Sequence, residues 1–296
     1  MPPAQAGEQA CTVARPDGTR VAYRRTEARE RRGKLPVLLL HGLASNLTRW
    51  SEFVERTTLA DERDLIRVDL RGHGDSPTRG PISLELWSED LLALLDAEGA
   101  DRAILIGHSL GAQVALACAA RAPQRVAALV LIDPVFRSAL HGQWKWLARA
   151  APLFVTAAAL VRGLNALGLR RRSIPPLDLR ALDELARASL GSPQAEAEFI
   201  RRYSSTRADL RTFRTAHYLR ELVEMFRPLA APESIAMPTL VLLSTGATFA
   251  ALPEMQAIAA RFPQGEVRRI DCHHWPLTER PDEVRGIIEA WCAAQP

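Results

Sequence analysis

Arg102-Ala103-Ile104-Leu105-Ile106-Gly107-His108-Ser109-Leu110-Gly111-Ala112 is the stretch that decides how this chain is read. The apolar run through Ile106 reads as a buried strand, and the alanine-rich stretch Ala112 to Ala122 reads as a helix. Between them lies Gly107-His108-Ser109-Leu110-Gly111, a G-x-S-x-G pentapeptide. In a strand–turn–helix setting such a serine sits on a sharp turn that lifts its hydroxyl clear of the sheet edge. Glycines on either side leave room for strained backbone and for close strand–helix packing. A bare pentapeptide recurs by chance; the local context makes Ser109 a candidate nucleophile rather than a capping serine.

Outward from this point the chain alternates. Short β-rich apolar runs at Pro36–Leu40, Leu65–Val68, Ala103–Ile106, Val126–Ile132, Thr239–Leu243 and Glu266–Ile270 read as strands. Helical patterns at Trp50–Ala60, Leu84–Ala97, Gly111–Ala122, Glu254–Arg261 and Pro281–Trp291 separate them, with Ser83 a plausible N-cap of the second. Cys11–Arg15 and Val21–Thr26, joined by Pro16-Asp17-Gly18-Thr19, read as a β-hairpin. Strands alternating with helices argue for a mostly parallel sheet, here of eight strands, covered by helices on both faces. From Phe136 to Ser234 no strand pattern occurs, only helical patterns broken by Gly163, Gly168, Pro175-Pro176, Gly191 and Pro193. A structureless connection of that length would be improbable. The expected organisation is a core of residues 1–135 and 235–296 carrying an inserted helical lid of residues 136–234. The Arg170–Arg172 triplet reads as a solvated turn.

At 296 residues the chain can bury a full core, and its 47% apolar and 24% charged residues are ordinary for a globular protein. No apolar run long enough to span a membrane occurs, and Met1–Ala10 lacks the regions of a signal peptide. Cys11, Cys118, Cys272 and Cys292 form neither a disulfide framework nor a metal-ligand spacing, so a cytoplasmic location is expected. The net charge of +4 is uneven: residues 137–236 hold 16 Arg or Lys against nine Asp or Glu. Almost all are arginine, which suggests compositional bias as readily as an acidic carrier docking on the lid. Without a recognised module or interleaved aromatics, nucleic-acid binding is not expected.

Three more motifs follow expected strands: His41-Gly42-Leu43; Asp69-Leu70-Arg71-Gly72-His73-Gly74-Asp75-Ser76; and His274-Trp275-Pro276, leading to Glu279-Arg280-Pro281. With the serine pentapeptide they resemble the α/β-hydrolase superfamily over nearly the whole chain. The resemblance implies an α/β-hydrolase fold with Ser109 as nucleophile, His274 as its base, and the backbone N–H groups of Leu43 and Leu110 as oxyanion hole. No cofactor is implied. His41 is read as orienting the oxyanion loop and, with Trp144, Trp146 and Trp275, is a candidate substrate-binding residue. His108 reads as a local structural histidine, and the Asp69–Ser76 motif as architectural. His274 fits the family spacing better than His273, and a metal site built from Cys272, His273 and His274 is a weak alternative.

The triad acid is where the sequence departs from the family. Relatives usually carry an aspartate after the seventh strand, whereas this chain reads Ser244-Thr245-Gly246-Ala247-Thr248-Phe249-Ala250-Ala251. Asp133, at the end of the sixth strand, is one replacement and would bring a carboxylate oxygen about 3 Å from a ring nitrogen of His274. Glu254 is another, and the absence of any acid is a third. The expected function is cleavage of an ester, thioester or lactone of a small apolar substrate through a serine acyl-enzyme. Two alternatives keep the fold: a lyase, cyclase or carbon–carbon bond hydrolase, or a ligand-binding protein without turnover. A serine at position 109 argues against branches of the family that use a carboxylate nucleophile.

Overall fold

The fold comes from a computed structural model, which describes residues 4–5, 7–30, 33–171, 173–189, 193–246 and 248–296. Gly191, Ala247 and Arg172 of the sequence reading, with part of its N-terminal segment, lie outside the described residues. The strands are β1 Glu8–Ala14, β2 Arg20–Thr26, β3 Val37–Leu40, β4 Leu65–Val68, β5 Ala103–His108, β6 Val126–Ile132, β7 Thr239–Ser244 and β8 Gly265–Ile270. They form one sheet in the order β1-β2-β4-β3-β5-β6-β7-β8. β1 and β2 are the expected hairpin and pair antiparallel; β2 also meets β4 antiparallel, and every later pairing is parallel.

The central strands are buried on both faces, as parallel strands covered by helices must be. Leu38, Leu40 and Leu105 face one apolar layer with α2 (Leu84–Ala97) and α3 (Leu110–Arg121). Val37, Leu39, Ile104 and Ile106 face the other, with α1 (Ser51–Arg56) and the C-terminal helix Pro281–Ala293. β8 closes the sheet as an edge strand whose Arg268 and Arg269 are exposed, the usual protection of an unpaired edge.

One element departs from its sequence pattern. The helix expected over Trp50–Ala60 is broken into a turn at Leu47–Trp50, the short α1, and a second turn at Thr58–Asp61. Thr57 sits in extended backbone, caps Leu59, and its hydroxyl donates to Glu289 at 2.8 Å. A threonine that satisfies local backbone with its side chain competes with the helix it interrupts.

Between β6 and β7 the described residues form helices only: α4 Gly142–Arg149, α5 Ala151–Ala166, α6 Leu179–Ser189, α7 Pro193–Tyr203, α8 Thr206–Thr212 and α9 Thr215–Met225. After β7 come α10 Leu252–Ala259, α11 Pro276–Glu279 and α12, the C-terminal helix already named. The chain leaves β3 toward β4 but places β5 on the opposite side of β3. The carboxyl ends of β3 and β5 therefore flank the switch point where open α/β sheets bind ligands.

Arg67 in β4 is completely buried, and Glu8 at the start of β1 receives it at 2.6 Å from Nε. Removing one partner leaves a buried charge without its counterion. Glu8→Ala should lower unfolding stability by about 3–5 kcal/mol, read from the urea midpoint. A shift within error would show that the guanidinium is satisfied without Glu8.

Candidate active site

The pentapeptide turns as its sequence requires. Ser109 has φ 53° and ψ −116°, and it joins β5 directly to α3. A Cβ built on Gly107 would lie 2.3 Å from the carbonyl oxygen of Gly111, and one on Gly111 would lie 2.4 Å from that of Leu40. No side chain fits at either position, so both glycines are required by space rather than by φ. The non-glycine residues with positive φ among the described residues are Ala44, Ser109 and Asp133, each just beyond a strand end on this edge. Each such conformation stores roughly 1–3 kcal/mol, and such strain clusters at functional sites.

His274 Nε2 lies 2.9 Å from Ser109 Oγ, so the serine hydroxyl can donate to the neutral ring. On the far side Nδ1 is 3.5 Å from Asp133 Oδ2, longer than the expected 3 Å and outside good hydrogen-bond geometry. Asp133 is held from another direction. The backbone N–H of Ser244 donates to Oδ1 at 2.7 Å, and the Ser244 hydroxyl donates to Oδ2. Glu254 is exposed in the first turn of α10 and lines neither the cavity at Ser109 nor the hollow beside Asp133.

The neighbouring histidines have separate occupations. His273 Nδ1 meets Glu279 at 3.0 Å, and Glu279 also accepts the backbone N–H groups of His273 and Trp275. Cys272 contacts the Ser244 hydroxyl, so Cys272, His273 and His274 point to three different partners. His108 Nε2–H donates to the His274 carbonyl at 2.9 Å, tying the strand that leads to Ser109 to the loop that carries His274. Burial, and then the adjacent His274, push the His108 ring down to about 3.

A cavity of about 290 Å³ opens over Ser109 and His274. Leu43, Trp144 and Trp275 line it, together with Phe249, whose ring meets His274 edge-on at 4.4 Å between centroids. Two expected substrate contacts do not reach it. His41 is fully buried behind the loop, with Nδ1 against the Gly42 carbonyl and Nε2 accepting from Leu70 N–H; it shapes the loop and is not a lining residue. Trp146 is 69% exposed and lies over Arg149, because the turn of α4 that carries Trp144 inward carries Trp146 out. Leu110 buries its side chain in the core, and its N–H, first in α3, has no acceptor within the helix.

Four contributors lay outside the sequence reading. Ser244 clamps the Asp133 carboxylate, and Phe249 packs on His274. Glu221 of α9 accepts from Ala44 N–H at 3.2 Å and pairs with His73 Nε2 at 3.2 Å, so a carboxylate from the insertion holds the loop that follows Leu43. Arg49 pairs with Asp183 of α6 at 2.6 Å, both nearly buried, which fastens the insertion to the core. Glu221 had a signal: it falls at helical spacing among the apolar positions Tyr218, Leu222 and Met225. A carboxylate in such a stripe must have a partner.

A family model described as alpha/beta hydrolase fold matches residues 36–281. The chain is 25% identical over 265 residues to abhydrolase domain-containing protein C22H12.03 of Schizosaccharomyces pombe, covering 86% of this chain and 90% of that protein. It is 25% identical over 273 residues to the sn-1-specific diacylglycerol lipase ABHD11 of Mus musculus, covering 87% and 80% respectively. Among solved structures, a thermophilic esterase from Thermogutta terrifontis superposes with a TM-score of 0.69 at 26% identity, over 96% of this chain and 98% of that one.

The pKa of His108 has a thermodynamic consequence. Its folded value of about 3 lies below the ordinary 6.5, so between these values the unfolded chain binds the proton and the native chain does not. This group therefore makes stability fall as pH drops below about 6.5. Ring NMR of His108 should show a neutral imidazole from about pH 8 down to about pH 4. A midpoint near the ordinary histidine value would contradict the buried, carbonyl-bound ring.

Proposed function

The chain belongs to the α/β-hydrolase family, and from that premise we propose that it hydrolyses an ester, thioester or lactone of a small apolar substrate through a Ser109 acyl-enzyme. The observation that carries this reading is the 2.9 Å approach of Ser109 Oγ to His274 Nε2 in a cavity to which Trp144, Tyr203, Phe249 and Trp275 contribute aromatic rings. Ser109 Oγ attacks the acyl carbon while its proton passes to His274 Nε2. The oxyanion is received by the backbone N–H groups of Leu43 and Leu110. His274 returns the proton to the leaving alcohol, thiol or lactone oxygen. It then takes a proton from water, whose oxygen attacks the acyl carbon, and passes that proton to Ser109 Oγ as the acyl–oxygen bond breaks, releasing the acid with the serine hydroxyl restored.

Asp133 is the acid in this mechanism. Its carboxylate, fixed by Ser244, stabilises the imidazolium and holds the tautomer with hydrogen on Nδ1. A gap of 3.5 Å in the free enzyme suits a contact that tightens as the ring becomes charged. The helices of residues 136–234 act as the lid, contributing Trp144 and Tyr203 to the acyl pocket. A cavity of about 290 Å³ is small for a ligand site, which favours short or compact acyl groups.

A fluorophosphonate probe should label the wild-type chain on Ser109 and leave Ser109→Ala unlabelled. That variant should hydrolyse p-nitrophenyl esters at about a thousandth of the wild-type rate or less. Unchanged turnover in purified Ser109→Ala would overturn the serine reading.

The acid is tested separately. Asp133→Asn should lower kcat by a factor approaching 10⁴, and Ser244→Ala by about tenfold, the loss of one hydrogen bond to a charged group. Glu254→Gln should be indistinguishable from wild type. Full activity in Asp133→Asn would leave Ser109 and His274 acting as a dyad.

A further inference from the structure

Nearly all the large exposed apolar side chains of the described residues belong to one segment. Trp146 of α4, Leu153, Leu160 and Leu164 along α5, and Leu167 and Leu169 just beyond it stand in water, Leu167 at 80% exposure. Leu153, Leu160, Leu164 and Leu167 are spaced by seven, four and three residues, within about 60° of one another around a helix, and so form a ridge. The face of α5 carrying Ala158 is buried against the protein. No single helix of the described residues is long and apolar enough to cross a membrane. α4 and α5 together would be, but they are bent by 60° to each other.

The charge of the same segment is one-sided. Residues 134–177 contain seven Arg or Lys and not one Asp or Glu. A second cavity, of about 390 Å³, lies at the end of α5 and is lined by Arg79, Arg162, Arg170 and Arg214 without any carboxylate. Arg25, Arg49, Arg67, Arg71 and Arg227, by contrast, each sit against an acid. Among the described residues no such ion pair reaches the four of this cavity. Four like charges gathered in one hollow repel one another until an anion enters.

We propose that α4, α5 and the four-arginine cavity form a docking face for an anionic phospholipid surface, the leucine ridge entering the acyl layer and the guanidinium groups meeting headgroup phosphates. Arg162 lies on the side of α5 away from the ridge. A helix about 10 Å across that sinks about 5–10 Å into the boundary carries that side at the level of the phosphates. A second copy of the chain is a poorer occupant, because pairing this face with itself would oppose cation to cation. A soluble acidic protein would answer the arginines and leave the ridge in water. α4 also lines the catalytic cavity with Trp144 while exposing Trp146, so docking brings the pocket to where small apolar esters partition. The inference goes beyond the hydrolytic reading and does not depend on Ser109 chemistry.

Flotation of the full chain with vesicles tests it. The chain should float with phosphatidylglycerol–phosphatidylcholine vesicles, weakly with phosphatidylcholine alone, and less as salt is raised. Arg79→Gln and Arg214→Gln should each weaken binding about fivefold. The triple change Leu160→Gln, Leu164→Gln and Leu167→Gln should weaken it about a hundredfold or more while circular dichroism remains that of the folded chain. Ser109→Ala should float like wild type, which separates this result from any failure of the hydrolase reading. Absence of flotation, or flotation undiminished in the leucine variant, would overturn the proposal. Dimerisation abolished by that variant without vesicle binding would give the face to a second copy. Arginine-dependent capture of an acidic carrier without vesicle binding would give it to a protein partner.

Discussion

The site depends on the crossing of the β5–α3 turn over the end of β3. The backbone at Gly111 passes so near the Leu40 and His41 carbonyls that no side chain can stand there, and Gly107 is pressed against the first turn of α3 in the same way. That approach forces the left-handed backbone of Ser109 and sets its hydroxyl beside the strand end from which Leu43 follows. Because β3 and β5 are hydrogen-bonded neighbours with fully buried faces, the turn cannot relax without disturbing both apolar layers. The rigidity of the sheet thus offsets strain that an isolated turn would release.

The inserted helices belong to the same mechanical unit. Glu221 reaches from α9 to Ala44, one of the strained residues, and to His73 of the Asp69–Ser76 motif. Burial pulls His73 down, but the Glu221 and Asp69 carboxylates and the Arg71 carbonyl together raise the ring above its ordinary value. The Asp69 carboxyl nearby, pushed up to about 6 by burial, accepts the N–H groups of Leu47 and Asp75 and closes that motif on itself. Arg49 with Asp183 fastens the middle of the insertion. The part of the chain that shapes the pocket therefore also holds the loop that follows Leu43, so a change in the helices acts on position as well as on fit.

The strands were legible because each is a short apolar run bounded by turn residues, and parallel strands buried on both faces need nothing else. Ser109 and His274 were legible because the elbow and the histidine loop are local in sequence. Ser244 was not, since a serine after a strand looks like any turn residue until the neighbouring strand supplies a carboxylate. Trp144 and Trp146 could not be told apart either: both are tryptophans on a short helix, and only the direction of the helix decides which one enters the cavity. The break at Thr57 depended on Glu289, far along the chain. In each case the missing information is a contact between segments distant in sequence.

The proposed acid, Asp133, carries the same logic furthest. β6 and β7 are adjacent and parallel with Ile132 opposite Leu242, and Asp133 N–H donates to the Leu242 carbonyl. A side chain at the end of either strand can therefore reach the same volume behind His274. The family resemblance leads to an aspartate after the seventh strand, and this chain has Ser244 at the end of that strand. A serine there cannot stabilise an imidazolium by charge, but its N–H and hydroxyl can hold the Asp133 carboxylate in place. In the proposed mechanism the two strand ends divide one task, charge on β6 and orientation on β7. That division requires Asp133 to adopt positive φ, a conformation more tolerable for aspartate than for most residues because its short polar side chain bonds locally. The vacancy after β7 is in this sense the counterpart of the strained aspartate after β6.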